Sequence, residues 1–167
     1  MDCRSREREL DEALPIFRFE GAFREILSAY KFRDRRSLAP FLADVAEREK
    51  LLHWEGWTIV PVPPRPGKLR ERGWDQVEDL ARELERRGHA VARVLERLPS
   101  QQQKRLGRAE RGANAKAAYR LRPGLRSPGL ALLLDDVVTT GATAEACACA
   151  LKRGGAARAA LLALAAD

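Results

Sequence analysis

LLLDDVVTTGAT, Leu132 to Thr143, is the stretch whose reading decides the fold. The unbroken apolar run that starts at Leu130 reads as a strand buried on both faces, and such strands belong to parallel sheets covered by helices. Asp135 and Asp136 follow at its carboxyl end, which is where open parallel sheets bind ligands. Val138, Thr139, Thr140, Gly141, Ala142 and Thr143 then lead into an alanine-rich helical stretch, Ala142 to Arg153, closed by Gly154 and Gly155. Gly141 can adopt backbone conformations barred to other residues. Successive amides in such a turn, with a helix N-terminus behind them, make an anion-binding cup. Two carboxylates can accept hydrogen bonds from vicinal hydroxyls. Acids followed by an anion cup therefore suit the two ends of a phosphorylated pentose. Successive strand residues point to opposite faces, so the chain is expected to turn at the acid pair. The spacing does not fit a nucleotide P-loop, G-x-x-x-x-G-K-[ST].

Working outward, the flanking segments alternate between strand and helix. WTIVPV (Trp57–Val62) is short, β-branched and stopped by prolines, as a buried strand would be. Trp74 to Arg87 has helical spacing with Gly88 as its stop, and Leu38, Phe41, Leu42, Val45 and Ala46 mark an amphipathic helix. Gly21 to Phe32 repeats that pattern through Phe23, Ile26, Leu27 and Tyr30. Ala90–Leu95, Ala118–Leu121 and Ala157–Leu164 read as further strands. Residues 1–14 are charged and read as frayed or weakly helical, and Pro63–Gly73 and Pro99–Ala115 as loops. The pattern predicts an α/β fold: a mostly parallel sheet flanked by helices, with a helical N-terminal segment over residues 1–56 and the core over 57–167 of one compact domain.

Composition sets limits on function. The 167 residues suffice for one domain with a real core. With 45% hydrophobic and 33% charged residues, and no apolar run near the ~20 residues a membrane span needs, a soluble cytoplasmic protein is expected. The three cysteines, Cys3, Cys147 and Cys149, form no C-x-x-C pair, so no zinc site is expected. The net charge of +7 is concentrated: residues 97–126 hold nine basic residues and one acid, or +8, leaving the rest at −1. A basic segment of this kind suits an anionic partner or a solvated loop.

The nine residues DDVVTTGAT, Asp135 to Thr143, resemble the 5-phosphoribosyl-1-pyrophosphate (PRPP) signature of type I phosphoribosyltransferases. AYKFRDRR (Ala29–Arg36), IVPVPPRPGKLRERGWDQ (Ile59–Gln76) and QQQKRLGRAERGANAKAAY (Gln101–Tyr119), in that order ahead of the PRPP motif, are similar to blocks of the ComF competence family. The resemblance implies a phosphoribosyltransferase-like fold whose N-terminal helices form a hood over the sheet's carboxyl edge. It implies PRPP bound with Mg²⁺, transfer of the phosphoribosyl group to a nitrogen acceptor with release of pyrophosphate, and a link to DNA uptake in natural transformation. Asp135 and Asp136 would hold the ribose, and Val138 to Thr143 the 5-phosphate. Pro63, Pro64, Arg65 and Arg72 would hold the pyrophosphate. Lys104 and Arg105 would act catalytically from a loop that closes over the leaving group. Tyr30, Lys31, Gln76, Arg108, Arg111 and Asn114 are candidate contacts for the acceptor or for nucleic acid. The alternative is a non-catalytic module that senses PRPP or binds single-stranded DNA. Other competence proteins and a second copy of the chain are further candidate partners. Two departures stand out. Cys3 alone occupies a region where many members carry a cysteine-rich zinc module, and Asp75 replaces the family's usual asparagine before Gln76.

Overall fold

In the computed structural model the described residues are 8–49, 51–65, 67, 73–98 and 118–167. Six strands and four α-helices occur among them. They run in the order β1 (Glu12–Arg18), α1 (Gly21–Phe32), α2 (Ala39–Glu49), β2 (Thr58–Pro61), α3 (Gln76–Arg86), β3 (Leu95–Arg97), β4 (Tyr119–Leu121), β5 (Leu130–Val138), α4 (Ala142–Arg153) and β6 (Arg158–Ala166). Short 3₁₀ turns at Arg36–Leu38 and Leu51–Trp54 flank α2. The main sheet is parallel throughout, in the order β1-β6-β5-β2, and β3 and β4 form a separate antiparallel ribbon.

The central strands explain the architecture. β5 and β6 pair from Leu130↔Arg158 to Val138↔Ala166, and both are buried over most of their length. Along β5, Leu132 and Leu134 face a core shared with α1, α2 and α3 through Leu27, Tyr30, Leu42, Leu80 and Leu84. Ala131 and Leu133 face the opposite core, shared with α4 through Cys147, Ala148 and Leu151 and with Leu95 and Tyr119 of the ribbon. Each fully buried leucine contributes about 1.5–3 kcal/mol by leaving water. The alanines of β6 and α4 leave no bulk between helix and sheet. At the C-terminal end of α4 a Cβ on Gly154 would lie 2.1 Å from Leu121 Cδ1, so glycine permits the helix to meet β4.

Three local expectations are corrected. Residues 12–18 form an edge strand parallel to β6, not a frayed or helical stretch. Pro15 pairs with Ala163 there, and an edge position tolerates its missing N–H. Asp11 anchors the strand's start, its carboxylate accepting from Ala159 N at 2.7 Å and from Lys152 Nζ at 3.1 Å. Secondly, Ala90–Leu95 is not one strand: Leu95 opens β3, pairing with Leu121, and Ala90–Val94 before it is not a strand. Only Val91 bridges, to Ile59, because β2 is four residues long and offers little edge to extend along. Thirdly, β5 runs on through Asp135 and Asp136 to Val138, so the chain does not turn at the acid pair. The helices expected as a hood, α1 and α2, share one core with α3 against the sheet face. Among the described residues no helix is long and apolar enough to cross a membrane.

Candidate functional site

Because β5 stays regular through the acids, Asp136 continues the face of Leu132 and Leu134, and Asp135 the face of Leu133. Both nevertheless open onto one cavity of about 320 Å³ at the strand's carboxyl end. Pro63, Pro64 and Arg65 line it from beyond β2, and Asp75, Gln76 and Val77 from the start of α3. Thr139 and Thr143 line it from the turn, Lys31 from the last turn of α1, and Arg97 and Tyr119 from the ribbon. Of the residues assigned from sequence, Asp135, Asp136, Thr139, Thr143, Pro63, Pro64, Arg65, Lys31 and Gln76 thus meet at one place. Val138, Thr140, Gly141 and Ala142 shape the turn without lining the cavity. Tyr30 does not line it either: it is buried, donates its hydroxyl to the Gln76 carbonyl at 2.9 Å, and packs edge-on against Trp74. Arg72, Lys104, Arg105, Arg108, Arg111 and Asn114 lie outside the described residues.

The turn has the geometry of an anion cup. Gly141 lies in the left-handed region at φ 72°, and α4 starts directly after it, the Ala142 amide donating to Thr140 Oγ1 at 3.4 Å. The other first-turn amides present partial positive charge. Glu145, the acid of that first turn, aims elsewhere, accepting from Glu9 N at 2.7 Å and Leu10 N at 3.3 Å.

The acids are held differently. Asp136 Oδ2 forms an ion pair with Lys31 Nζ and accepts from Gln76 Nε2 at 3.0 Å, while its Oδ1 accepts from Val137 N at 2.8 Å. Burial works against its charge, but Lys31 and these bonds hold its carboxyl below the usual range. Asp135 Oδ1 accepts from the Asp136 amide at 2.8 Å, and its carboxyl also shares a hydrogen bond with the Asp136 side chain. Burial, then the negative charge of Asp136, pushes Asp135 up to about 8. The two acids are thus pushed apart, Asp135 toward the neutral form and Asp136 toward the ionised one. Arg65 and Arg97 add positive charge to the same walls, so the cavity can admit a polyanion despite its carboxylates.

Asp75 presents no obstacle either. It is the N-cap of α3, its Oδ1 accepting from Glu78 N at 2.7 Å. Asparagine caps helices as well as aspartate does, so the acid keeps this structural role. Burial raises its carboxyl pKa above the ordinary range. Arg97 and Tyr119 carried no site assignment from sequence. Arg97 Nη1 donates to the Tyr119 hydroxyl at 2.7 Å, and the guanidinium lies 5.1 Å from that ring's centroid. A larger neighbouring cavity, about 530 Å³, shares the Val62, Pro63, Pro64, Trp74 and Asp75 walls but touches neither acid of the pair. Among the described residues no group of three or more histidines, cysteines or acids could hold a metal ion.

A parallel α/β sheet with an acid pair and a glycine-led threonine turn at its rim is consistent with the phosphoribosyltransferase-like class of folds. Comparison with curated proteins narrows this. The chain is 30% identical over 132 residues to competence protein ComFC of Streptococcus pneumoniae, covering 77% of this chain and 56% of that protein. It is 29% identical over 145 residues to competence protein ComFC of Bacillus subtilis, covering 85% of this chain and 59% of that one. The chain is thus similar over most of its length to proteins of the ComF competence family, and it spans a little over half the length of these relatives. No protein-family model matches it.

Proposed function

We propose that this chain binds PRPP with Mg²⁺, transfers its phosphoribosyl group to a nitrogen acceptor with release of pyrophosphate, and serves natural competence as its relatives' names indicate. One observation carries the reading: the acid pair, the turn behind Gly141 and the Pro63–Arg65 loop share a single cavity. The 5-phosphate would rest on the first-turn amides of α4 and on Thr139 and Thr143. The ribose hydroxyls would bond to Asp135 and Asp136, the protonated acid donating and the ionised one accepting. Arg65 and the adjoining backbone would receive the diphosphate. Mg²⁺, carried on PRPP, would neutralise diphosphate charge and ease its departure.

The reaction breaks the bond between C1 and the diphosphate oxygen and forms one between C1 and nitrogen, the acceptor giving up a proton. Positive charge grows on the sugar as the diphosphate leaves. Asp136, ionised and held by Gln76 and the Val137 amide, would face that charge.

Thermal melting tests the binding. Millimolar PRPP with Mg²⁺ should raise Tm by several degrees, as ligand binding to the folded state alone requires, and the Asp135→Asn/Asp136→Asn double variant should lose that rise. Pyrophosphate release with candidate nitrogen bases then separates transfer from sensing. An unshifted melt in the parent protein at saturating PRPP would dismiss both.

A further inference from the structure

The Lys31 ammonium lines the cavity, and the binding scheme leaves it without a task. It reaches in from the last turn of α1 on the sheet face of Leu132 and Leu134, whereas α4 and its anion cup cover the other face. A ligand held at the cup and at the acids must cross the rim toward Lys31. Both oxygens of Asp136 already accept hydrogen bonds, and Lys31 and Gln76 share Oδ2. A sugar hydroxyl that bonds Asp136 has to compete for that oxygen. The Gln76 backbone carbonyl accepts from Tyr30, which ties the start of α3 to α1. Lys31 is on a flexible four-carbon stem, with its side chain 20% exposed. Of the two donors it is the one that can yield. Once displaced, it shares the cavity wall with Pro63, Pro64 and Arg65.

We infer that Lys31 is an exchangeable counter-ion: it neutralises Asp136 until a phosphorylated sugar takes that carboxylate, and then transfers to the ligand's diphosphate. This deepens the PRPP reading and rests on it. It makes Lys31 a diphosphate-binding residue that selects for the 1-pyrophosphate over the bare sugar phosphate. After the transfer, Gln76, the Val137 amide and the sugar hydroxyl remain as donors to Asp136.

Two ligands that differ only in the diphosphate separate this role from a structural one. PRPP and ribose 5-phosphate, each with Mg²⁺, are titrated calorimetrically into the parent chain, Lys31→Met and Lys31→Arg. The expected result is about tenfold weaker PRPP binding in Lys31→Met, as loss of one charge-assisted contact implies. Ribose 5-phosphate should change less than about threefold by the same scale, because its contacts do not include Lys31. Lys31→Arg should recover most of the PRPP affinity.

Magnesium pyrophosphate supplies the second arm. Asp136→Asn should tighten it by freeing Lys31, and should not do so in the Lys31→Met background. Equal losses for both sugar phosphates, or a pyrophosphate gain that survives removal of Lys31, would overturn the exchange and leave PRPP binding standing. Absence of PRPP binding in the parent chain would instead remove the reading beneath it. Far-ultraviolet dichroism and melting of each variant keep a folding defect distinct from either outcome.

Discussion

Replacing Lys31 by methionine tests whether the pair it makes with Asp136 is energetically coupled, independently of any ligand. The Asp136 side chain is 13% exposed and that of Lys31 20%, so water screens the pair only in part. Breaking a fully buried pair by removing one partner costs roughly 3–5 kcal/mol. Partial exposure, and the bonds Asp136 keeps to Gln76 and Val137, reduce this to about 2 kcal/mol. For a chain of this size that is a fall in Tm of about 4–8 °C. Asp136→Asn should cost less, about 1 kcal/mol, because the stranded ammonium can turn to solvent. In the double variant neither charge remains, so a urea double-mutant cycle at pH 7 should return a coupling of about 1–2 kcal/mol.

The sign of the pH dependence is fixed by the lowered Asp136 carboxyl. Its stabilisation is fully present above the ordinary carboxylate value of about 4, and it is lost as pH falls through the lower folded value. In Lys31→Met the carboxyl is buried and unpaired, so it resists ionisation and destabilises the fold as pH rises. The cost of the substitution should therefore be largest at pH 7 and above, shrink as pH falls below about 4, and vanish only below the lowered folded value of Asp136. A coupling below about 0.5 kcal/mol at pH 7, within the additivity expected of independent sites, would refute the reasoning. So would a cost that stays constant down to pH 3.

Asp75→Asn should retain the α3 cap and raise stability at pH 7, because a raised carboxyl pKa means the folded state resists ionisation and loses stability as pH climbs above the unfolded value. Asp75→Ala should instead lose about 1 kcal/mol with the cap, both read by urea melts. Gly141→Ala forces a Cβ into the left-handed region and should cost about 1–2 kcal/mol by the same assay. It should also weaken inorganic phosphate and PRPP in parallel, and retention of both affinities would argue against an anion cup there. Leu134→Ala, at a fully buried position in the core shared with α1 and α3, should cost about 2–5 kcal/mol without altering the far-ultraviolet spectrum.

Much of the fold could be read before any coordinate. α1, α2 and α4 follow their apolar periodicity closely, and the leucine run of β5 with the turn after it places the sheet's rim. What escaped has physical reasons. β1 lies among charges and contains Pro15, which marks a strand as an edge at best, and only its pairing with β6 defines it. Ala90–Val94 has strand-like composition but almost nothing to pair with.

At the site, single residue types were legible and partnerships were not. Lys31 and Asp136 are 105 positions apart, and a lysine in a basic helix end reads as solvated until its partner is in view. Arg97 and Tyr119 flank a long basic stretch, and only their meeting across the β3–β4 ribbon brings them to the cavity. Asp75 reads as a charge out of place beside a diphosphate. The Glu78 amide it caps, three residues on, gives it a structural reason.

The central claim is that one rim cavity grips both ends of a phosphorylated pentose. Isothermal titration of the intact chain with PRPP and Mg²⁺ tests it most directly. One saturable site per chain is expected, abolished by Asp135→Asn/Asp136→Asn and weakened by Gly141→Ala. Featureless heats at millimolar PRPP, or binding indifferent to both changes, would contradict it.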